Sequence, residues 1–188
     1  MIRNRDGLSL VELLVVMMLI SIVIGIVVPV LQPQKFQMDA AVVLAASTLT
    51  AQQKNSILRQ HNIVVVLHSA DSELRVHFDA DNDGTIDAGE NFNVVQLEDG
   101  VVFGRGGTPA RPLGSAMNTF TDTQDGMPAL TFRRNGSASA ESILYLTSGR
   151  ASTTGGGFIE DGRAIEIERA TGRVRCYSYA SGGWLQTC

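Results

Sequence analysis

Little in this 188-residue sequence suits catalysis or redox work. It holds two cysteines, three histidines and one tryptophan. Cys176 and Cys188 sit at the extreme C-terminus and form no CxxC pair, which excludes a thioredoxin-like motif and a cysteine zinc site. His61, His68 and His77 make no HxxxH or HExxH pattern, so surface or packing roles are expected of them. GxSxG and Walker A sequences are absent, and no cysteine is placed with a histidine as a nucleophile pair. The glycines of FGRGG and TTGGGF lack the strand–helix context that phosphate binding requires. No enzyme is predicted. Nor is there a strongly basic domain: residues 1–38 sum to +1, 39–100 to −7 and 101–188 to +2, so wholesale nucleic-acid binding is not implied.

One long apolar run stands out against these absences. Leu8 to Val28 is 21 residues in which Glu12 alone is charged. As a helix it would measure ~31 Å, the thickness of a hydrocarbon core. Arg3 and Arg5 precede it and no Lys or Arg follows until Lys35, so the positive-inside rule keeps the N-terminus cytoplasmic and exports the rest. The end of the run, IGIVVPVLQPQ, matches a signal-peptidase site poorly, so the anchor is expected to be kept. An acid in the bilayer costs roughly 2.5–3.5 kcal/mol on insertion scales and needs a reason. Glu12 lies in the first helical turn, where the helix dipole favours it. A cut between Gly7 and Leu8 would place a new amino group at i relative to Glu12 at i+4, pairing them within a chain or between neighbours.

Those residues carry a resemblance. DGLSLVELLVVMMLI resembles the class III signal of type IV prepilins and type II secretion pseudopilins: a short basic leader ending in Gly7, a hydrophobic Leu8 after the cut, and Glu12 at the fifth mature position. Pro29 falls where that family often has a proline, while leucine replaces the usual phenylalanine or methionine at the start of the mature chain. The resemblance implies cleavage and N-methylation by a prepilin peptidase, then assembly with other pilin or pseudopilin subunits into a filament. It also implies a single-pass inner-membrane protein with its C-terminal domain in the periplasm. The expected organisation is a leader at 1–7, an anchor and assembly helix at 8–28, its soluble continuation at 29–60, and a β-rich head at 61–188.

From Gln34 to Arg59 there is no proline or glycine, and Phe36, Ala40, Val43, Leu44, Leu49, Ile57 and Leu58 recur at helical spacing. The Ala-rich part would let a sheet pack closely. Beyond His61 the pattern turns to short β-branched stretches with turns between them, NIVVVLHS and ELRVHFDA reading as a hairpin. The fold class is therefore α+β, a long N-terminal helix packed on an antiparallel β-sheet domain. Loops are expected at 104–128 and 151–163. FRRNGSA followed by GRAIEIERATGRVR resembles the GspH/FimT-like subgroup of minor pilins and pseudopilins.

Residues 79–90, DADNDGTIDAGE, carry the ligand pattern of an EF-hand loop. Asp79, Asp81, Asp83, the Thr85 carbonyl, Asp87 and Glu90 fill positions 1, 3, 5, 7, 9 and 12, with Gly84 at the sharp turn. Strand-like flanks on both sides predict one Ca²⁺ loop set between β-strands rather than between helices.

Two features stay open. If the head is exported, Cys176 and Cys188 are expected to form a disulfide worth about 3 kcal/mol on the chain-entropy model; otherwise they are separate thiols. TGRVRCYSY resembles the DNA-binding element of FimT-type minor pilins, which serve DNA uptake. At period two Arg173, Arg175 and Tyr177 would share a strand face and could meet phosphates, with Arg133 and Arg134 as helpers. Alternatively Gly172 completes a hairpin turn and the arginines pair with Glu166 or Glu168. A tip adhesin acting through loops 104–128 and 151–163 is a third reading.

Overall fold

The computed structural model describes residues 9–27, 33–113 and 118–188. The chain divides into two compact units, Met1–Pro33 and Gln34–Cys188. The first contains helix α1 (Leu10–Val27), 18 residues or about 27 Å long. Ser9 caps it: its hydroxyl accepts the Glu12 N–H at 3.2 Å, so Glu12 sits in the first turn as expected. Gly7, Leu8 and Pro29 lie outside the described residues. Among the described residues no helix is long and apolar enough to cross a membrane.

The second unit begins with helix α2 (Pro33–Arg59). Its proline stands at the first helical position, where a missing N–H costs nothing. The buried stripe is Met38, Ala41, Val42, Ala45, Ala46 and Leu49, a three–four repeat built largely of alanine. This corrects the expected face. Of the large apolar residues picked out by spacing, Leu49 alone is buried, while Phe36 is 71%, Val43 56% and Leu58 79% exposed. The alanines let the helix approach the sheets closely beside Met38, Val42 and Leu49, while Phe36, Val43 and Leu58 point outward.

Among the described residues ten strands follow: β1 (Asn62–His68), β2 (Glu73–Asp79), β3 (Phe92–Gln96), β4 (Val101–Phe103), β5 (Asp122–Gln124), β6 (Met127–Phe132), β7 (Ser142–Ser148), β8 (Arg163–Ile167), β9 (Val174–Ala180) and β10 (Gly183–Gln186). They form two antiparallel five-stranded sheets. Sheet A has the order β3-β2-β1-β6-β5 and sheet B the order β10-β9-β8-β7-β4. Period-two alternation sends Ile63, Val65, Leu67, Leu74 and Val76 of sheet A, and Leu144, Leu146, Ile165, Ile167 and Cys176 of sheet B, into one core with the α2 stripe.

Arg163 shares the inward face of β8 with Ile165 and Ile167, yet it is almost wholly buried. Its guanidinium reaches Asp39 of α2 (Nε to Oδ1, 2.8 Å) and donates to the carbonyls of Glu160 and Gly162. A buried charge is tolerable only when paired and hydrogen-bonded in this way, and the pair ties α2 to sheet B.

Two expected loops contain regular structure. Asp122–Gln124 pairs with β6 as an edge strand. Helix α3 (Gly149–Thr154) occupies the start of the second loop, capped by the Ser148 hydroxyl. A 3-10 turn follows at Ile159–Asp161.

Candidate functional site

Three parts of the molecule offer chemistry: the acidic loop 79–90, a pair of arginine-bearing turns, and the apolar N-terminal helix. The acidic loop joins β2 to β3. Asp79 ends β2 fully buried, and its two oxygens accept the N–H groups of Asn82 (2.7 Å) and Gly84 (2.8 Å). The Asn62 amide adds a third bond at 3.2 Å. Asp81 accepts the Asp83 N–H, and Asp83 accepts both N–H and O–H of Thr85 at 2.7 Å. Those Thr85 bonds hold the Asp83 carboxyl below its ordinary pKa. Gly84 has φ of +86°, the left-handed geometry that the sharp turn demands. Glu90 folds back over the loop, accepting the N–H groups of Ala80 and Asp87.

Asp79, Asp81 and Asp83 each bring a carboxylate oxygen within 4.8 Å of the others. Asp87 and Glu90 stand outside that group. The donor set at its centre is oxygen only and anionic, which suits a hard divalent cation such as Ca²⁺. Without a cation, the loop holds its acids by turning backbone N–H groups toward them.

The same loop covers the outer face of sheet A. Val64, Val66 and Ala129 are buried there beneath Ile86 of the loop and Met127. Gln124 of β5 donates to the Gly84 carbonyl at 2.8 Å, fastening the loop to the far edge of the sheet. Ile86 was the missed residue: it is the loop's one large apolar side chain, flanked by polar neighbours. Beside it His77 stacks on Phe92 at 5.1 Å, a packing role as expected. Burial lowers the His77 pKa, partly opposed by Glu90.

The arginine turns lie at the other motif. Gly172 has φ of +64° and closes the β8–β9 turn, donating to Glu168 at 2.8 Å. A Cβ there would stand 2.2 Å from the Gly136 carbonyl, so two glycine turns meet backbone to backbone. Gln53 of α2 donates its amide to the carbonyls of both Gly136 and Thr171. Arg133 and Arg134 on one turn, and Arg169 and Arg173 on the other, are exposed. Arg173 immediately precedes β9, which holds Arg175 and Tyr177, and its carbonyl accepts the Glu168 N–H at 2.9 Å. Arg175 stands opposite Glu166 in the register, 3.7 Å from it and 3.8 Å from Glu168.

Glu166 is claimed more closely by Arg111, at 2.7 Å. The Arg111 guanidinium lies 3.5 Å from the centre of the Tyr177 ring, and its backbone N–H donates to the Tyr145 hydroxyl at 2.7 Å. Trp184 Nε1 donates to the Pro109 carbonyl at 3.0 Å. These contacts clamp the stretch around 109–111 onto the outer face of sheet B. The second expected loop is braced too: Asp161 accepts the Ser148 hydroxyl and two bonds from Arg150. Burial alone would raise the Asp161 carboxyl, but the bonds from Arg150 and Ser148 outweigh it and hold its pKa below the ordinary value. Cys176 and Cys188 are joined as a disulfide, closing β10 and the tail against β9.

On α1, every large apolar side chain from Leu10 to Val23 is at least 47% exposed. This helix has an apolar surface with Glu12 alone charged on it. Residues 2–28 match the family model of the prokaryotic N-terminal methylation motif. The match covers the segment on which the resemblance was drawn: the chain carries a prokaryotic N-terminal methylation motif that includes Gly7, Leu8 and Glu12, followed by an α+β domain of two antiparallel sheets. Among solved structures it is similar to the minor pseudopilin EpsH from the type 2 secretion system of Vibrio cholerae. That similarity has 13% identity and a TM-score of 0.47, covering 78% of this chain and 99% of that one. It is also similar to the type IV minor pilin FimU of Pseudomonas aeruginosa PAO1, with 15% identity, a TM-score of 0.47, and coverage of 80% and 92%. No curated protein matches the chain in sequence.

Proposed function

We propose that this chain is a minor pilin or pseudopilin. Prepilin peptidase cuts it between Gly7 and Leu8 and methylates the new N-terminus. The product sits in the inner membrane as a single-pass protein with its head in the periplasm, then joins or primes a type IV pilus or type II secretion pseudopilus. The methylation motif over residues 2–28 carries this reading. The exposed apolar surface of α1 supports it, since such a surface needs lipid or neighbouring subunits to cover it. The outward Phe36, Val43 and Leu58 of α2 extend the apolar surface available to a neighbour. Glu12 sets register by pairing with the methylated amine of an adjacent subunit. In a host with prepilin peptidase, Gly7→Ala should remain full-length and Glu12→Ala should be shortened yet left out of filaments. A shortened Gly7→Ala product would sink the processing step.

The acidic loop binds Ca²⁺ through Asp79, Asp81, Asp83, Thr85, Asp87 and Glu90, with Kd in the weak extracellular range of about 10⁻⁴–10⁻³ M. Its role is to stiffen the head before assembly. The clustering of three of these carboxylates supports the site.

Duplex DNA is the second reading, favoured by the four exposed arginines on adjacent turns. Glu141 and Glu168 line the hollow between Arg133 and Arg169 and oppose a polyanion. DNA binding that falls steeply with salt, and is lost in the Arg133→Ala, Arg173→Ala double variant, would establish that role. Absence of binding at low salt would leave the filament role alone.

A further inference from the structure

We propose that His68, Asp71 and Glu73 form a second cation site in the head, one for a divalent transition metal with Zn²⁺ as its natural occupant. The site is built by the β1–β2 hairpin. His68 ends β1 and Glu73 begins β2, and the antiparallel register sets them directly opposite each other on the outer face of sheet A. The turn between them carries Asp71 back over the same end. One donor atom from each residue lies within 4.8 Å of the other two.

The turn is held in place from the neighbouring strand. Gln96 of β3 donates to the Asp71 carbonyl at 2.7 Å, and the Leu97 N–H donates to the Ser72 carbonyl at 3.1 Å. Ser72 takes a left-handed φ of +53°, which brings the chain round sharply enough for Asp71 and Glu73 to converge.

Two side chains here are poorly explained by packing alone. His68 is only 9% exposed, yet its ring makes no hydrogen bond among the described residues. Its ring nitrogens are not sealed off by protein atoms, and one of them lies within 4.8 Å of a carboxylate oxygen from each of Asp71 and Glu73. Glu73 is also buried, and Arg75 places both Nε and Nη2 on the same oxygen, Oε1. That leaves Oε2 free while the guanidinium fixes the carboxylate plane, the usual work of an outer partner in a metal site. A plain Glu73–Arg75 ion pair accounts for one of the three residues and not for the approach of His68 and Asp71 to it. Asp71 is exposed and is the solvent-side member of the set.

The donor chemistry separates this site from the acidic loop. One imidazole nitrogen and two carboxylate oxygens favour a borderline divalent ion over Ca²⁺ or Mg²⁺. Three protein ligands leave a position for water or for a ligand from another molecule.

The test uses the full chain in detergent micelles, stripped with chelator and returned to millimolar Ca²⁺, so that the acidic loop is not competing. Co²⁺ is titrated as a coloured probe and then displaced with Zn²⁺. The expected result is one equivalent of Co²⁺ with visible ligand-field bands, lost on adding Zn²⁺. Zn²⁺ at about a hundredfold excess over its Kd should raise the melting temperature by roughly 5 °C. His68→Gln and Asp71→Asn should each weaken Co²⁺ binding about 100-fold, while Glu90→Ala should leave the bands unchanged. Asp71 is exposed, so Asp71→Asn reports on the site even if His68→Gln disturbs folding. Absence of bands in the parent chain, or bands that persist in either variant at full strength, would overturn the proposal.

Discussion

The two sheets cover their outer faces by different means. On sheet B the stretch around 109–111 is clamped by directional contacts: the Tyr145 hydroxyl on Arg111, Trp184 on Pro109, and the Arg111 guanidinium between Glu166 and Tyr177. On sheet A the apolar patch of Val64, Val66 and Ala129 lies under two side chains, Ile86 and Met127, the first delivered by an acidic loop. The sheet B cover is complete within the protein. The sheet A cover depends on how well a five-carboxylate loop is ordered, and a bound cation is the natural means of ordering it. If the proposed cation binds the loop, the cover of sheet A responds to the surrounding ions and that of sheet B does not.

Substitutions can break that contrast. Arg111→Ala should have the largest effect, about 3 kcal/mol of stability, because it removes a ring contact and leaves a mostly buried Glu166 with only the longer Arg175 contact. Its cost should be equal in calcium and in chelator, measured by denaturant unfolding. Glu90→Ala should cost roughly 2.5 kcal/mol when calcium exceeds Kd a hundredfold, and much less in chelator. Equal melting of parent and variant in calcium would remove the loop's proposed cation.

Asp161→Asn probes the brace beside sheet B and should cost about 2 kcal/mol at pH 7. The Asp161 pKa is lowered on folding, so its contribution is present above the unfolded value near 3.9 and is lost as pH falls through the lower folded value. The gap between parent and variant should close on acidification below about pH 4. Ile86→Ala should be mildest, about 1 kcal/mol from a half-buried side chain. It should sharpen the contrast by lowering stability in calcium without weakening calcium binding itself.

Much of the architecture was legible because each central strand is a β-branched run with turn residues at both ends. Asp122–Gln124 was not, since a short polar edge strand has no pattern of its own and exists by pairing with β6. Helix α3 was hidden for a similar reason: Gly149–Thr154 is rich in weak helix formers, and its cap depends on Ser148, which Asp161 holds from thirteen residues away. The face of α2 was misread because large apolar residues mark an amphipathic helix more loudly than alanine does. Gly7 and Leu8 were read from the motif and fall outside the described residues.

The sites follow the same division. Loop 79–90 stood out because its acidic side chains fall within twelve residues of sequence. His68 opposite Glu73 needed the strand register, which no local pattern supplies. The pairing of Arg175 with Glu166 was visible as a hairpin neighbour, but the prior claim of Arg111, 55 residues away, was not.

Gln53 holds both arginine turns by one amide, and the glycines beneath let those turns touch. The spacing between Arg133 and Arg173 is therefore set by the end of a helix rather than by two independent loops. If a polyanion docks there, a calliper fixed in this way favours partners whose charges already match its opening and gives up little freedom in binding one.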